Sequence, residues 1–182
     1  MSQIITVPSA VLRQVTKPVD ALDARVLAIL KDMEKTLKAA KKPQGVGLAA
    51  PQIGVSLRIF MIRPTPKSPV TVFINPEIIK YSQRKIKPNS KDGIYEGCLS
   101  IPHHYAPLER SSSVTVKYQT PKLLSTTNYE LITKTAVFSG IPAHVIQHEM
   151  DHLNGILFID RVLEQNAPLF KFEGKTWHEV TL

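Results

Sequence analysis

The sequence predicts an α+β fold, a single domain in which mostly antiparallel strands pack around a central helix, and three observations predict it. Four stretches rich in β-branched and aromatic residues are bounded by Pro, Gly or Ser: Leu57–Arg63, Val70–Ile74 continuing to Tyr81, Val114–Gln119 and Tyr129–Phe138. Ahead of them, Asp23–Lys42 places apolar residues at helical spacing. Behind them a second helical segment carries His148-Glu149-Met150-Asp151-His152, an HExxH motif. A chain of 182 residues, 43% hydrophobic, suits one sizeable core, with no second domain expected.

In chain order, Ser9–Val15 predicts a short helical turn that stops ahead of Pro18, because the residue before proline disfavours the helical region. From Asp23 to Lys42, Val26, Ile29, Leu30, Met33, Leu37 and Ala40 share one face and Lys and Glu the other, so this is an amphipathic packing helix. Gly45–Gly54 is Gly-rich, but it lacks the Gly-Lys-Ser/Thr ending of a phosphate loop and follows a helix rather than a strand. Pro64–Pro69 is a turn-rich connection and Gln83–Gly93 a polar, basic loop, both too short for interdomain linkers. Ser139-Gly140-Ile141-Pro142 starts a helix and Asn154-Gly155 stops it, giving about three to four turns. The tail from Glu164, with Pro168, Gly174 and scattered aromatics, has no clear period, and its structure stays open at this point.

No stretch approaches the roughly 20 apolar residues that span a bilayer, and Met1-Ser2-Gln3-Ile4-Ile5 lacks the layout of a secretion signal. The expectation is a soluble, intracellular protein with no membrane partner. One cysteine, Cys98, excludes an intramolecular disulfide framework. A net charge of +8 concentrates in Lys31–Lys42 and in Arg84–Lys91, which suits a polyanionic neighbour or simply a solvated face.

Chemistry concentrates in the second helix. Two histidines one turn apart point the same way, so their imidazoles can hold one ion with the intervening carboxylate of Glu149 beside it as general base. Val145, Ile146 and Leu153 give that helix apolar surface, so the histidines face inward or into a cleft. Cys98 reads either as a further ligand or as a small buried hydrophobe. A general metalloprotease is the nearest rival, since His148–Gly155 fits HExxHxxG. However, Phe158 stands where the longer pattern needs histidine, while Glu173 could in principle supply a downstream carboxylate ligand. A non-catalytic ribosome- or RNA-associated basic protein is the other rival; it predicts a damaged motif, and none is visible.

Three segments taken together, Gly45-Val46-Gly47-Leu48-Ala49-Ala50-Pro51-Gln52-Ile53-Gly54, Glu96-Gly97-Cys98-Leu99-Ser100 and Gln147–Gly155, resemble the signature motifs of peptide deformylases, in the family's order. The likeness runs from about Ile4 to Val162. It implies a metallo-hydrolase that removes the formyl group from the initiator methionine of nascent polypeptides and releases formate. Cys98, His148 and His152 would hold one divalent ion, Fe2+ by the resemblance, with Zn2+, Ni2+ or Co2+ as substitutes. Three protein ligands leave a position for the attacking water. Glu149 would act as base and then acid, and Gln52 and the backbone N–H of Leu99 as donors to the former carbonyl oxygen.

The resemblance also places Val46, Ile141, His144 and Val145 around the methionine side chain. Gly47 and Gly97 either let an extended peptide lie against the backbone or merely shape turns. His144 is unexpected there; one turn before His148, it could be mistaken for a third imidazole ligand, a role Cys98 fills better. Tyr105 stands where a substrate-contacting Arg can occur. The stretch between Asn75-Pro76 and Cys98 is longer than in short family members, which puts a basic loop near Ser90 at the active-site rim. Arg110 is expected to pair with Asp151 or Glu96. The basic surface is a candidate for ribosome contact, although the tail lacks the basic C-terminal helix that some relatives dock with.

Overall fold

A run such as Ile59-Phe60-Met61-Ile62, apolar at every position, is buried throughout only if both faces of its sheet are covered. That is its situation in the computed structural model, which describes residues 1–41, 43–86, 94–124 and 129–181. The run forms β2 (Ile59–Ile62), flanked by β1 (Gly47–Ala49) and β3 (Thr71–Tyr81). With β8 (Ser113–Leu123) and β9 (Tyr129–Ser139) they make an antiparallel sheet in the order β1-β2-β3-β8-β9. Phe60 and Ile62 join Phe73 and Val116 against Val145 and Ile146 of helix α2 (Ile141–Leu153). Ile59 and Met61 join Leu48 against Val26, Leu30, Met33 and Leu37 of helix α1 (Ala24–Ala39).

Local chemistry sets the ends of these elements. Asp23 caps α1 by accepting from the Val26 N–H at 2.7 Å. The helix stops at Ala39, short of the expected Lys42: Ala40 is extended (φ −69°, ψ 107°), and its carbonyl accepts from the Gly45 N–H at 2.9 Å. The β3 strand does continue to Tyr81, through a register shift at Asn75-Pro76. Asn75 is left-handed (φ 48°), and its side-chain amide exchanges two 2.8 Å bonds with the Val19 backbone, so the proline sits in a bulge where its missing N–H costs nothing. The turn expected within Ser9–Val15 is a single 3-10 turn, Ala10–Arg13.

A second antiparallel sheet supplies the other half of the site. Its strands are β5 (Glu96–Cys98), β6 (Ile101–Ala106), β10 (Leu169–Glu173) and β11 (Thr176–Val180), in the order β11-β10-β6-β5. The tail, whose structure the sequence left open, is therefore a hairpin with Gly174 left-handed at its turn (φ 62°). Cys98, Ala106 and Leu169 on the inner face pack on Phe158 and Val162 of helix α3 (Phe158–Glu164). A two-residue pair, β4 (Lys85–Ile86) with β7 (Arg110–Ser111), completes the described strands.

Helix α2 is enclosed, with every residue from Ala143 to Leu153 buried. Gly140 (φ 65°) turns the chain into it, Pro142 sits in its first turn, and Gly155 (φ 72°) ends it. No described helix is long and apolar enough to cross a membrane. Lys42 and residues 87–93 lie outside the described residues, and with them the expectation of a basic loop near Ser90 at the rim.

Candidate metal centre

The spacing of HExxH on a regular helix brings His148 and His152 to one side of α2, their rings 4.9 Å apart. The third partner comes from another sheet: Cys98 ends β5 and places Sγ 3.2 Å from His152 Nε2. One donor atom from each of Cys98, His148 and His152 lies within 4.8 Å of the others, and all three residues are buried. Separations of that size suit ligands sharing one ion, and a soft thiolate with two imidazoles suits Fe2+, Zn2+, Co2+ or Ni2+. The residues therefore fit a mononuclear divalent centre with an open position. His144 takes no part, and Glu173 is exposed on β10, paired with Lys171, far from the role a metalloprotease would need.

A carboxylate behind the site holds it in register. Glu96 Oε1 accepts from His148 Nδ1 at 2.7 Å and from Arg110 Nη2 at 2.8 Å, while Oε2 accepts from Arg110 Nε at 3.0 Å. His148 is thereby left with Nε2 as its free donor atom. Arg110 also donates to Asp151 Oδ2 at 2.7 Å, so the expectation that it pairs with Asp151 or Glu96 is met by both at once. Asp151 in turn accepts from Arg161 Nη2 at 2.6 Å. His144 Nε2 lies 2.8 Å from Glu96 Oε2, off the line of a good hydrogen bond, and its buried Nδ1 has no hydrogen-bond partner among the described residues.

These contacts set the charges. Burial would push the Glu96 carboxyl up, but Arg110 and His148 hold it well below the usual carboxylate range. Burial alone would likewise raise the Cys98 thiol, yet the two imidazoles bring it down to about 5, so sulfur is available as thiolate. Glu149 goes the other way: burial raises its carboxyl to about 7, only partly opposed by His148 and His152. Its Oε2 is buried and has no hydrogen-bond partner among the described residues. That is the condition of a carboxylate poised for proton transfer near neutrality.

Gln52 comes from the 3-10 turn Ala50–Ile53 that follows β1. Its Oε1 accepts from the Ala49 N–H at 2.9 Å, which fixes the amide and turns Nε2 toward Ser100 Oγ at 3.1 Å and Cys98 Sγ at 3.6 Å. The Ser100 N–H adds a 3.4 Å contact to the same sulfur. Ser100 lies in the Glu96–Ser100 segment read from the sequence, which gave it no role of its own.

A cavity of about 400 Å³ opens onto these groups. Gln52, Cys98, Leu99, His148 and Glu149 are on its wall, whereas His152 lies behind it. Val46, Ile141, His144 and Val145 line one side, and Gly47, Gly97 and Tyr105 also face it. Gly47 passes close to Glu149: a Cβ there would overlap Oε1 and lie 2.8 Å from both Glu149 Cδ and Val145 Cγ1. At Gly97 a Cβ would meet the Tyr105 ring at 2.7 Å, so the bare backbone anticipated for a peptide is in part covered by that ring. Sequence reasoning missed Ile94 and Tyr95, which extend the wall at the outer end of β5.

A thiolate and two imidazoles around one open position, with an unpartnered carboxylate alongside, define a mononuclear metal-dependent hydrolase. A family model described as Polypeptide deformylase matches residues 1–167, and the chain belongs to that family. It is 41% identical over 175 residues to the peptide deformylase of Agrobacterium fabrum, covering 93% of this chain and 92% of the relative. The crystal structure of a peptide deformylase from Legionella pneumophila superposes with a TM-score of 0.73 at 35% identity, covering 88% of this chain and 85% of that one. A Met-ala-ser bound structure of the class I type b enzyme from Acinetobacter baumannii gives 0.70 at 32% identity, covering 88% and 98%.

Proposed function

We propose that Glu149, Gln52 and Leu99 carry out the family's reaction in this chain: hydrolytic removal of the N-formyl group from the initiator methionine of nascent polypeptides, with release of formate. The chain is a metal-dependent deformylase by membership, and the assignment of roles to its residues is our reading. The observation that carries it is the buried, unpartnered Oε2 of Glu149 beside the Cys98, His148 and His152 donors at the end of a cavity.

The divalent ion, when bound by Cys98, His148 and His152, makes water acidic enough to act as a nucleophile at neutral pH and polarises a carbonyl oxygen. Glu149 takes the proton from the attacking water and delivers it to the departing amine, one carboxylate acting as base and then acid. As the formyl carbon becomes tetrahedral, charge develops on its oxygen, and Gln52 Nε2 and the Leu99 N–H donate to it. Removing one such donor typically costs about 3 kcal/mol of barrier. The Ala49 N–H fixes the Gln52 side-chain oxygen and so keeps the amide at the cavity wall, where Nε2 gives up its long 3.6 Å contact with Cys98 Sγ to donate to the formyl oxygen. Val46, Ile141, His144 and Val145 receive the methionine side chain, and the peptide backbone approaches Gly47 and Gly97 where Glu149 and the Tyr105 ring leave them uncovered.

The native ion in this reading is ferrous iron, with zinc, nickel and cobalt as substitutes. Contact with the ribosome through the basic surface is a further expectation, supported by the net charge of +8 and by exposed Lys31, Lys35 and Lys38 on α1. The decisive experiment is anaerobic purification, metal analysis and a formate-release assay. A formylated Met-peptide should lose formate and keep its internal bonds. Cleavage of an internal bond, or metal-independent turnover, would refute the reading.

A further inference from the structure

Side chains alternate across a strand, so one face of the second sheet is fixed by its register. Gly97 on β5 pairs with Tyr105 on β6, Tyr105 pairs with Phe170 on β10, and Phe172 pairs with Trp177 on β11. Tyr95, two residues before Gly97, falls on the same face. The opposite face is the inner one that holds Cys98, Ala106 and Leu169 in the core.

On this outer face Trp177 is a hub. Its ring lies 5.1 Å from Tyr105, 5.2 Å from Phe172, 5.5 Å from Tyr95 and 6.4 Å from Phe170. The rings pair across the hairpin and still leave surface for a ligand, since Trp177 keeps 50% of its surface exposed and Tyr95 43%. The hairpin that carries Phe170, Phe172 and Trp177 lies beyond the residues matched by the family model.

The platform is continuous with the catalytic cavity, because Tyr95 and Tyr105 belong to both. Tyr95 and Tyr105 are thus within reach of a peptide whose formylated end is at Glu149, along a cavity wall that also includes Pro43, Gln44 and Pro64. We propose that Trp177, with Tyr95 and Tyr105, forms an aromatic subsite that selects large apolar or aromatic side chains within the two residues following the methionine. The proposal rests on the deformylase reading for the direction of the peptide.

Formate release by the metal-loaded enzyme tests it with formyl-Met-Ala-Ser, formyl-Met-Phe-Ser and formyl-Met-Ala-Phe. One aromatic contact gives roughly a three- to tenfold preference in kcat/KM for a Phe-containing peptide, carried mainly by KM. Trp177→Ala should bring that preference to within about twofold and leave formyl-Met-Ala-Ser turnover unchanged, while Trp177→Phe keeps most of it. Equal kcat/KM for all three peptides, or a preference indifferent to Trp177→Ala, overturns the proposal.

Trp177 is the sole tryptophan, so its emission reads the subsite without turnover and without a variant. Emission that shifts with Met-Phe-Ser or Met-Ala-Phe but not with Met-Ala-Ser supports the subsite; emission indifferent to all three peptides overturns it. Emission that changes with protein concentration alone would assign the face to a second copy of the chain and also overturn it. A sample that shows the peptide-dependent shift but releases no formate would keep the subsite and sink the deformylase reading, so the two failures are distinguishable.

Discussion

Gly47→Ala is the smallest change that should separate proton transfer from metal binding. The added methyl would overlap Glu149 Oε1 and stand 2.8 Å from Glu149 Cδ and Val145 Cγ1, where ordinary contact needs about 3.5–4.0 Å. Something must move by about 1 Å. Helix α2 cannot yield readily, since it is buried from Ala143 to Leu153, so the displacement falls on the Glu149 side chain. A misplacement of about 1 Å in a catalytic group costs on the order of 10²-fold in rate, or about 2.7 kcal/mol of barrier. Overpacking costs a further 1–3 kcal/mol or so of stability, and thus roughly 2–10 °C in Tm for a chain of this size. None of Cys98, His148 or His152 is among the three nearest atoms to the new methyl, so metal stoichiometry should stay at the wild-type value. The assay pairs formate release with metal analysis and thermal unfolding. Wild-type kcat/KM would refute the reasoning, and so would activity lost only in proportion to metal.

Other substitutions follow from the same contacts. Glu149→Gln should keep the metal and lose about 10²–10⁴-fold in kcat, measured on the metal-loaded protein. Cys98→Ser should instead lose metal, because a hydroxyl is a poor ligand in place of a thiolate, and dialysis against a chelator of graded strength reads the difference. Arg110→Leu leaves Glu96 and Asp151 short of their shared cation. It should destabilise by about 3 kcal/mol, the low end for a broken buried pair because Arg161, His148 and His144 remain, and weaken metal retention about 10–100-fold. Burial would raise the Asp160 carboxyl, but Arg13 and the Leu157 N–H hold it below its ordinary value. Its contribution is therefore present above about pH 4 and lost as pH falls through the lowered value; being partly exposed, it is worth under about 1 kcal/mol. Asp160→Asn should accordingly lower Tm slightly at pH 7 and match wild type near pH 2.

Much of this was legible in the chain, and the illegible parts have physical reasons. β3, β8 and β9 announce themselves through runs of β-branched and aromatic residues, and α2 through Pro142 and Asn154-Gly155 at its two ends. β5 and β6 do not. Glu96-Gly97-Cys98 and Ile101–Ala106 have little β propensity of their own; β6 is a strand because it pairs with β10, distant in sequence, and β5 because it pairs with β6. Cys98 and His148 meet across fifty residues, a pairing no local spacing reveals, so only the joint resemblance of three segments indicated it. The tail was the avoidable omission. Phe170–Glu173 and Thr176–His178 alternate apolar with polar residues on either side of Gly174-Lys175, which is a hairpin signal.

The site also explains why so many polar residues can be buried in one place. Glu96, Arg110, His148 and Asp151 would each be costly alone, but every carboxylate oxygen in the set faces a cation or an imidazole. Satisfying those atoms leaves few ways to arrange α2 against β5 and β7, and so fixes the donors of Cys98, His148 and His152 before any ion arrives. Glu149 is the exception on the same helix: one of its oxygens has no partner, and its carboxyl is raised to about 7 where Glu96 is held low. Two glutamates facing the same histidine are thus driven in opposite directions by their surroundings. The paired one stays ionised and orients a ligand, and the unpaired one is free to carry a proton.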